Sequence, residues 1–241
     1  MSEIGYYVAY PASQELHSKF RDFIALMKEE NPQRHDKLLS QIMTLLTNET
    51  LDAYLTGILN TSGLGGTQKN LIKTADAFIK KTAQALIKQV TKKMDIEEQR
   101  QTAEHFDSCL LSLEGKNQQP TNFIAYPISK PFYQQIISGH NTFLEQGPED
   151  GKPIIIENQK AITNQMVFFM VERLIAIISF GPLLTKIINV GIDKSVQLMH
   201  STLEKTFTTM TKDEMAKTNQ YVATMLIMGP EHNAMTSQES F

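Results

Sequence analysis

The chain has no tryptophan and a single cysteine, Cys109. One cysteine cannot close a disulfide within the chain, so the sequence reads as a protein of a reducing compartment. No charge of either sign dominates: 23 Lys and Arg stand against 26 Asp and Glu, a net of -3. That balance argues against a dedicated nucleic-acid binder, which carries a basic excess. The N-terminus has no basic region followed by an apolar run, so no secretory signal is legible and a cytoplasmic location is the default. Signal-independent export stays open. Between Glu172-Arg173 and Lys186 lie only about 12 uncharged residues, too few for a membrane-crossing helix of roughly 20.

Catalytic and metal signatures are missing too. There is no His-Glu-x-x-His, no Cys-x-x-Cys and no Gly-x-Ser-x-Gly elbow. A di-metal site in a helical bundle would want Glu-x-x-His pairs, and none is present. The six histidines, His17, His35, His105, His140, His200 and His232, are scattered. Cys109 sits among Phe106, Leu110 and Leu113 and reads as a small buried hydrophobe. The sequence therefore calls for no metal and no cofactor. Its 41% apolar and 20% charged residues suit a folded globular protein.

What the chain does have is a stretch used twice. Tyr7-Val8-Ala9-Tyr10-Pro11-Ala12-Ser13 returns 116 residues later as Phe123-Ile124-Ala125-Tyr126-Pro127-Ile128-Ser129. At that offset Pro32 falls on Pro148, Thr47-Asn48 on Thr163-Asn164, Gly65 on Gly181 and Met94 on Met210. A constant period with matched helix-ending residues predicts a tandem duplication. The boundaries it implies are a first repeat over 1–115, a linker at 116–121, a second repeat over 122–229 and a polar tail over 230–241.

Each repeat opens on an aromatic, β-branched segment that the proline keeps extended. Ser13 and Ser129 then read as N-caps. Leu16, Phe20, Phe23, Ile24 and Met27 follow at helical spacing. A second helix is expected over about 33–60, a third capped by Thr67, and a fourth starting at Asp95 and running through Leu110 and Leu113 to Gly115. Asp95 to Glu98 and Thr211 to Glu214 have capping-box spacing at equivalent positions. In the second repeat a long helix is expected over about 152–180, and Gly229-Pro230 ends the last one. The expectation is an all-α protein: two four-helix units with approximate pseudo-two-fold symmetry, each preceded by a short extended segment.

Three features are candidates for function. The paired Tyr10 and Tyr126 stand where an internal axis would place a shared groove, or they simply set the entry angle of each first helix. The stretch Met166 to Ile192 is far more apolar than its counterpart in the first repeat. It reads as core, as an interface or as a membrane-contacting hairpin over 174–192, with Met170, Leu174, Ile177, Ile178, Phe180 and Leu184 as its candidate residues. The third helix carries Lys69, Lys73, Lys80, Lys81, Lys88, Lys92 and Lys93, a solvated face or an anion-binding one. Gly65, Gly66 and Thr67 at its start, with Lys69 and Lys73, form a weak anion-binding candidate. They lack the spacing of a phosphate loop.

The functional expectation is a non-catalytic helical binding protein that uses the groove or apolar surface between its two units. Its partner is another protein or a second copy. A peripheral membrane-active protein using the hairpin and the lysine-rich helix is the first alternative. An enzyme with a small-molecule site between the units is the second.

Overall fold

The computed structural model describes residues 4–114 and 120–230. Strand β1 (Ile4–Pro11) leads into α1 (Gln14–Met27), then α2 (Asp36–Leu51). A π-helical turn, π1 (Asp52–Thr56), joins α2 to α3 (Gly57–Ser62). Helix α4 (Gly66–Lys93), helix α5 (Ile96–Cys109) and strand β2 (Leu110–Glu114) complete the first half. The second half is β3 (Pro120–Ile128), α6 (Lys130–Gln146), α7 (Pro148–Val167), the π turn π2 (Phe168–Glu172) and α8 (Arg173–Ile177). It ends with α9 (Pro182–Thr209), α10 (Lys212–Thr224) and β4 (Leu226–Pro230). No helix is long and apolar enough to cross a membrane, among the described residues.

The helix starts follow from local chemistry. Ser13 Oγ accepts from Leu16 N–H at 3.0 Å and Ser129 Oγ from Phe132 N–H at 3.2 Å, each satisfying a donor left over at a helix start. Both capping boxes close: Asp95 with Glu98 at 2.8 and 2.9 Å, Thr211 with Glu214 at 2.7 and 3.3 Å. Helix α4 begins one residue before the expected Thr67 cap. Gly65 is its N-cap, and its N–H is taken by the Gln68 side chain at 2.9 Å.

The fold is mostly helical, as expected, but it is not all-α. The extended segments pair with each other in the middle of a four-stranded antiparallel sheet of order β2-β3-β1-β4. Ala9 pairs with Ala125, so the repeated stretch lies against its own counterpart. The edges are Leu110–Glu114 and Leu226–Pro230, which helical spacing had assigned to the ends of α5 and α10. Leu110 and Leu113 continue a helical stripe on paper. Beside β3, however, the same residues satisfy their backbone in a ladder, with Leu110 opposite Ile124 and Leu113 opposite Thr121. The expected linker 116–121 overlaps β3 at Pro120 and Thr121. The rest of it, and the tail beyond Pro230, lie outside the described residues.

One face of the sheet, with Val8, Tyr10, Ile124 and Tyr126, packs on the helices. The other carries a small cluster of Tyr7, Ala9, Leu111 and Ala125. The main core takes buried residues from both halves, from Leu16 and Phe20 to Phe207 and Met215. Helix α10 packs on α3, α5 on α8, and α4 on α9.

Candidate functional site

A large apolar pocket lies where α2, α4, α7, π2, α8 and α9 meet. Its volume is about 170 Å³. The wall from the first half includes Leu46, Thr47, Thr50, Ile79 and Leu86, and that from the second half Met166, Met170, Leu174, Ile188 and Gly191. Several positions 116 residues apart line it together: Thr47 with Thr163, Thr50 with Met166, Leu51 with Val167, and Ala83 with Met199. The cavity therefore straddles the seam between the halves.

Local sequence chemistry shapes it. Helix α7 gives way to the wider π2 turn at Phe168, and Met170 and Val171 of that turn reach the cavity. Single π turns within helices recur at functional sites because they push side chains out of the regular register. At Gly191 the missing side chain lets α4 come close. A Cβ built there would lie 3.3 Å from Leu86 Cδ1. Methionines contribute Met43, Met166, Met170 and Met199 to the lining, flexible side chains that adapt to varied shapes.

The polar content is small and mostly committed. Thr47, Thr50, Thr163 and Ser195 donate their hydroxyl protons to the carbonyls of Met43, Leu46, Gln159 and Gly191, at 2.8 to 2.9 Å. No residue lining the cavity is titratable. The site thus offers methyl, methylene and thioether surface, hydroxyl lone pairs and no charge. Among the described residues no group of His, Cys, Asp and Glu could hold a metal ion.

The structure places Met170, Leu174 and Ile178 in the cavity wall. Ile177, Phe180 and Leu184 are half-buried against the main core without lining it. Tyr10 and Tyr126 are fully buried, their rings 6.4 Å apart, and sit one hydrogen bond outside the cavity. Their hydroxyls meet at Thr50 Oγ1, at 2.6 and 3.0 Å. Thr50 gives its own proton to Leu46, so both tyrosines donate to it and its bonding capacity is filled. Burial pushes both phenols well above their ordinary range. They stay neutral.

Gly65, Gly66 and Thr67 are exposed at the start of α4, where Gln68 Nε2 donates to Thr209 Oγ1 at 3.1 Å. Lys69 and Lys73 are exposed nearby. None of the cavities described among the described residues is lined by these five.

Cys109 lies 3.9 Å from His105 Nε2, a pairing that suggests a nucleophile. The environment opposes it. Burial pushes the thiol up to about 12. Burial first, and Arg173 second, pull His105 down to about 4. A protonated thiol beside a very weak base performs no nucleophilic chemistry near neutral pH.

Sequence reasoning missed Thr50, Gly191 and the whole first-half wall. The Thr47-Asn48 match with Thr163-Asn164 was a visible signal, because both threonines reach the cavity. Compared with known proteins, the chain matches no family model, no curated protein and no solved structure.

Proposed function

We propose that this is a non-catalytic binding protein that holds a small, neutral, apolar molecule, or the end of an acyl chain, in the cavity between its halves. The observation that carries the reading is an uncharged, apolar-lined pocket of about 170 Å³ between the halves. About half of its lining residues are only partly buried, so an apolar occupant would take methyl and methylene surface out of water, at about 25 cal/mol per Å². A carboxylate would find no cation on the wall, and the hydroxyl protons of Thr47, Thr50, Thr163 and Ser195 are spent. The absence of a titratable group also speaks for binding rather than catalysis.

A duplicated origin fits the same reading. Its support is that α4 and α9, π1 and π2, and β2 and β4 each have boundaries 116 residues apart, and that Ala9 pairs with Ala125. On that view the site arose where two copies of one unit, 1–115 and 122–229, closed on each other. One wall then became more apolar.

Filling the cavity is the test. Ala83→Leu adds three carbons to the wall. It should raise stability by about 2 kcal/mol, at roughly 0.8 kcal/mol per buried methylene, and abolish any rise in Tm given by benzene or a medium-chain alcohol. Native mass spectrometry of gently purified protein should show an added mass of a few hundred daltons on the 27.2 kDa chain, absent from the variant. A bare mass together with a Tm indifferent to every probe would overturn the reading.

A further inference from the structure

We propose that the outer face of the α4–α9 pair docks onto an anionic lipid surface. The two helices run antiparallel in a register that two contacts fix. Gln68 bonds Thr209, and Leu86 packs at Gly191. The residues from 68 up to 86 match those from 209 down to 191. The same register sets Lys88 beside Asn189 and Lys92 beside Thr185.

At about 100° per residue, Leu183, Ile187, Val190 and Lys194 share one stripe of α9, and Phe78, Lys81, Ala85 and Lys92 share one stripe of α4. All eight are exposed, Leu183 at 75%, Ile187 at 48%, Phe78 at 45% and Val190 at 44%. Four of the larger exposed apolar side chains of the molecule thus lie on this helix pair, interleaved with lysines.

Charge selects the occupant. Helices α4 and α9 carry ten lysines against three acids, Asp76, Asp193 and Glu204. Asp76 pairs with Lys80 at 3.1 Å, and Glu204 with Lys160 at 3.1 Å. Nearby on α5, Asp95 and Glu98 are held in their capping box, and Glu98 also takes Ser179 N–H at 2.7 Å. Lys81, Lys88, Lys92, Lys186 and Lys194 enter no salt bridge with a described residue. An apolar stripe rimmed by unpaired lysines complements the acyl–headgroup boundary of an anionic bilayer, with the helices lying in the surface plane. The face that would dock is the back of the wall formed by Thr82, Leu86, Gly191 and Ser195, so the lipid would lie next to the cavity. Delivery into the cavity rests on the function proposed above. Docking does not.

The test is flotation of the full chain with vesicles of phosphatidylcholine alone and of phosphatidylcholine with phosphatidylglycerol, two to one. Binding should need the anionic lipid and fall as salt is raised. The exposed pair Lys88→Glu/Lys92→Glu should weaken it by about tenfold or more, since each lysine near the surface is worth roughly 1 kcal/mol. Leu183→Glu should weaken it as well, while helicity and benzene response stay those of the parent chain. Failure to float, or flotation indifferent to these variants, overturns docking and leaves the cavity reading standing. A dimer by native mass spectrometry that Leu183→Glu dissociates, with no flotation, also overturns it and gives the face to a second copy.

Discussion

At the scale of single residues, positions 116 apart play different roles. Tyr221 lies over Gly57 and donates to the Ala53 carbonyl at 2.6 Å, and a Cβ on Gly57 would run into its ring. At the equivalent place His105 faces Phe169 at 5.9 Å, and the Arg173 guanidinium lies 4.4 Å from the same ring. One place holds a phenol over a bare backbone, the other an imidazole against an aromatic and a cation. The consequence is a pH effect of known sign. Burial and Arg173 hold His105 down to about 4, against roughly 6.5 in an unfolded chain. Below pH 6.5 the unfolded state binds a proton that the native state refuses, so stability present above 6.5 is lost as pH falls towards 4. The full loss from this residue is about 3 kcal/mol, at roughly 1.4 kcal/mol per pH unit. Burial also lowers His140, His200 and His17, and they add to the slope. Urea unfolding at pH 7.5 and 4.5 should show wild type losing more than His105→Gln. Equal losses would mean that His105 is not held neutral.

At the scale of elements, the caps make a matched experiment. Asp95→Ala and Thr211→Ala each remove one side of a capping box at equivalent places in α5 and α10. Each should cost about 1 kcal/mol, and calorimetry should find the two costs alike. These caps were legible in the sequence because they are local: four residues carry the whole interaction. The core of α1 was legible for the same reason, and Leu16, Phe20, Phe23, Ile24 and Met27 are all buried. The edge strands were not. Leu110 and Leu113 carry the same apolar pattern whether a helix runs on or a ladder takes over, and β3, ten or so residues further along, decides between the two. The cavity was less legible still. It depends on which faces of α2, α4, α7 and α9 converge. The apolar excess of 166–192 left core, interface and membrane contact open and did not say what it enclosed. Leu174, Ile178 and Ile188 turn inward while Leu183, Ile187 and Val190 turn out, so one stretch serves two surfaces.

At the scale of the molecule, the halves hold each other together. Strand β1 is flanked by β3 and β4, both from the second half, and β2 has only β3. Helix α10 lies on α3, and α5 on α8. Tyr54 reaches across to the Gln159 carbonyl at 2.6 Å, and Tyr10 and Tyr126 share one threonine. A half on its own would expose the sheet face that carries Val8 and Tyr10 together with the inner sides of α3 and α5, a large apolar area with no partner. Cutting the chain between Glu114 and Pro120 separates the halves without severing a described element. Residues 1–117 alone should melt without a cooperative transition, and so should 118–241. Mixed, they should recover the circular dichroism of the intact chain and a one-to-one complex. Its Tm should depend on concentration, because association becomes bimolecular. A first half that melts cooperatively as a monomer would show that each unit carries a sufficient core. The cavity would then be a gap between two finished domains rather than the centre of one.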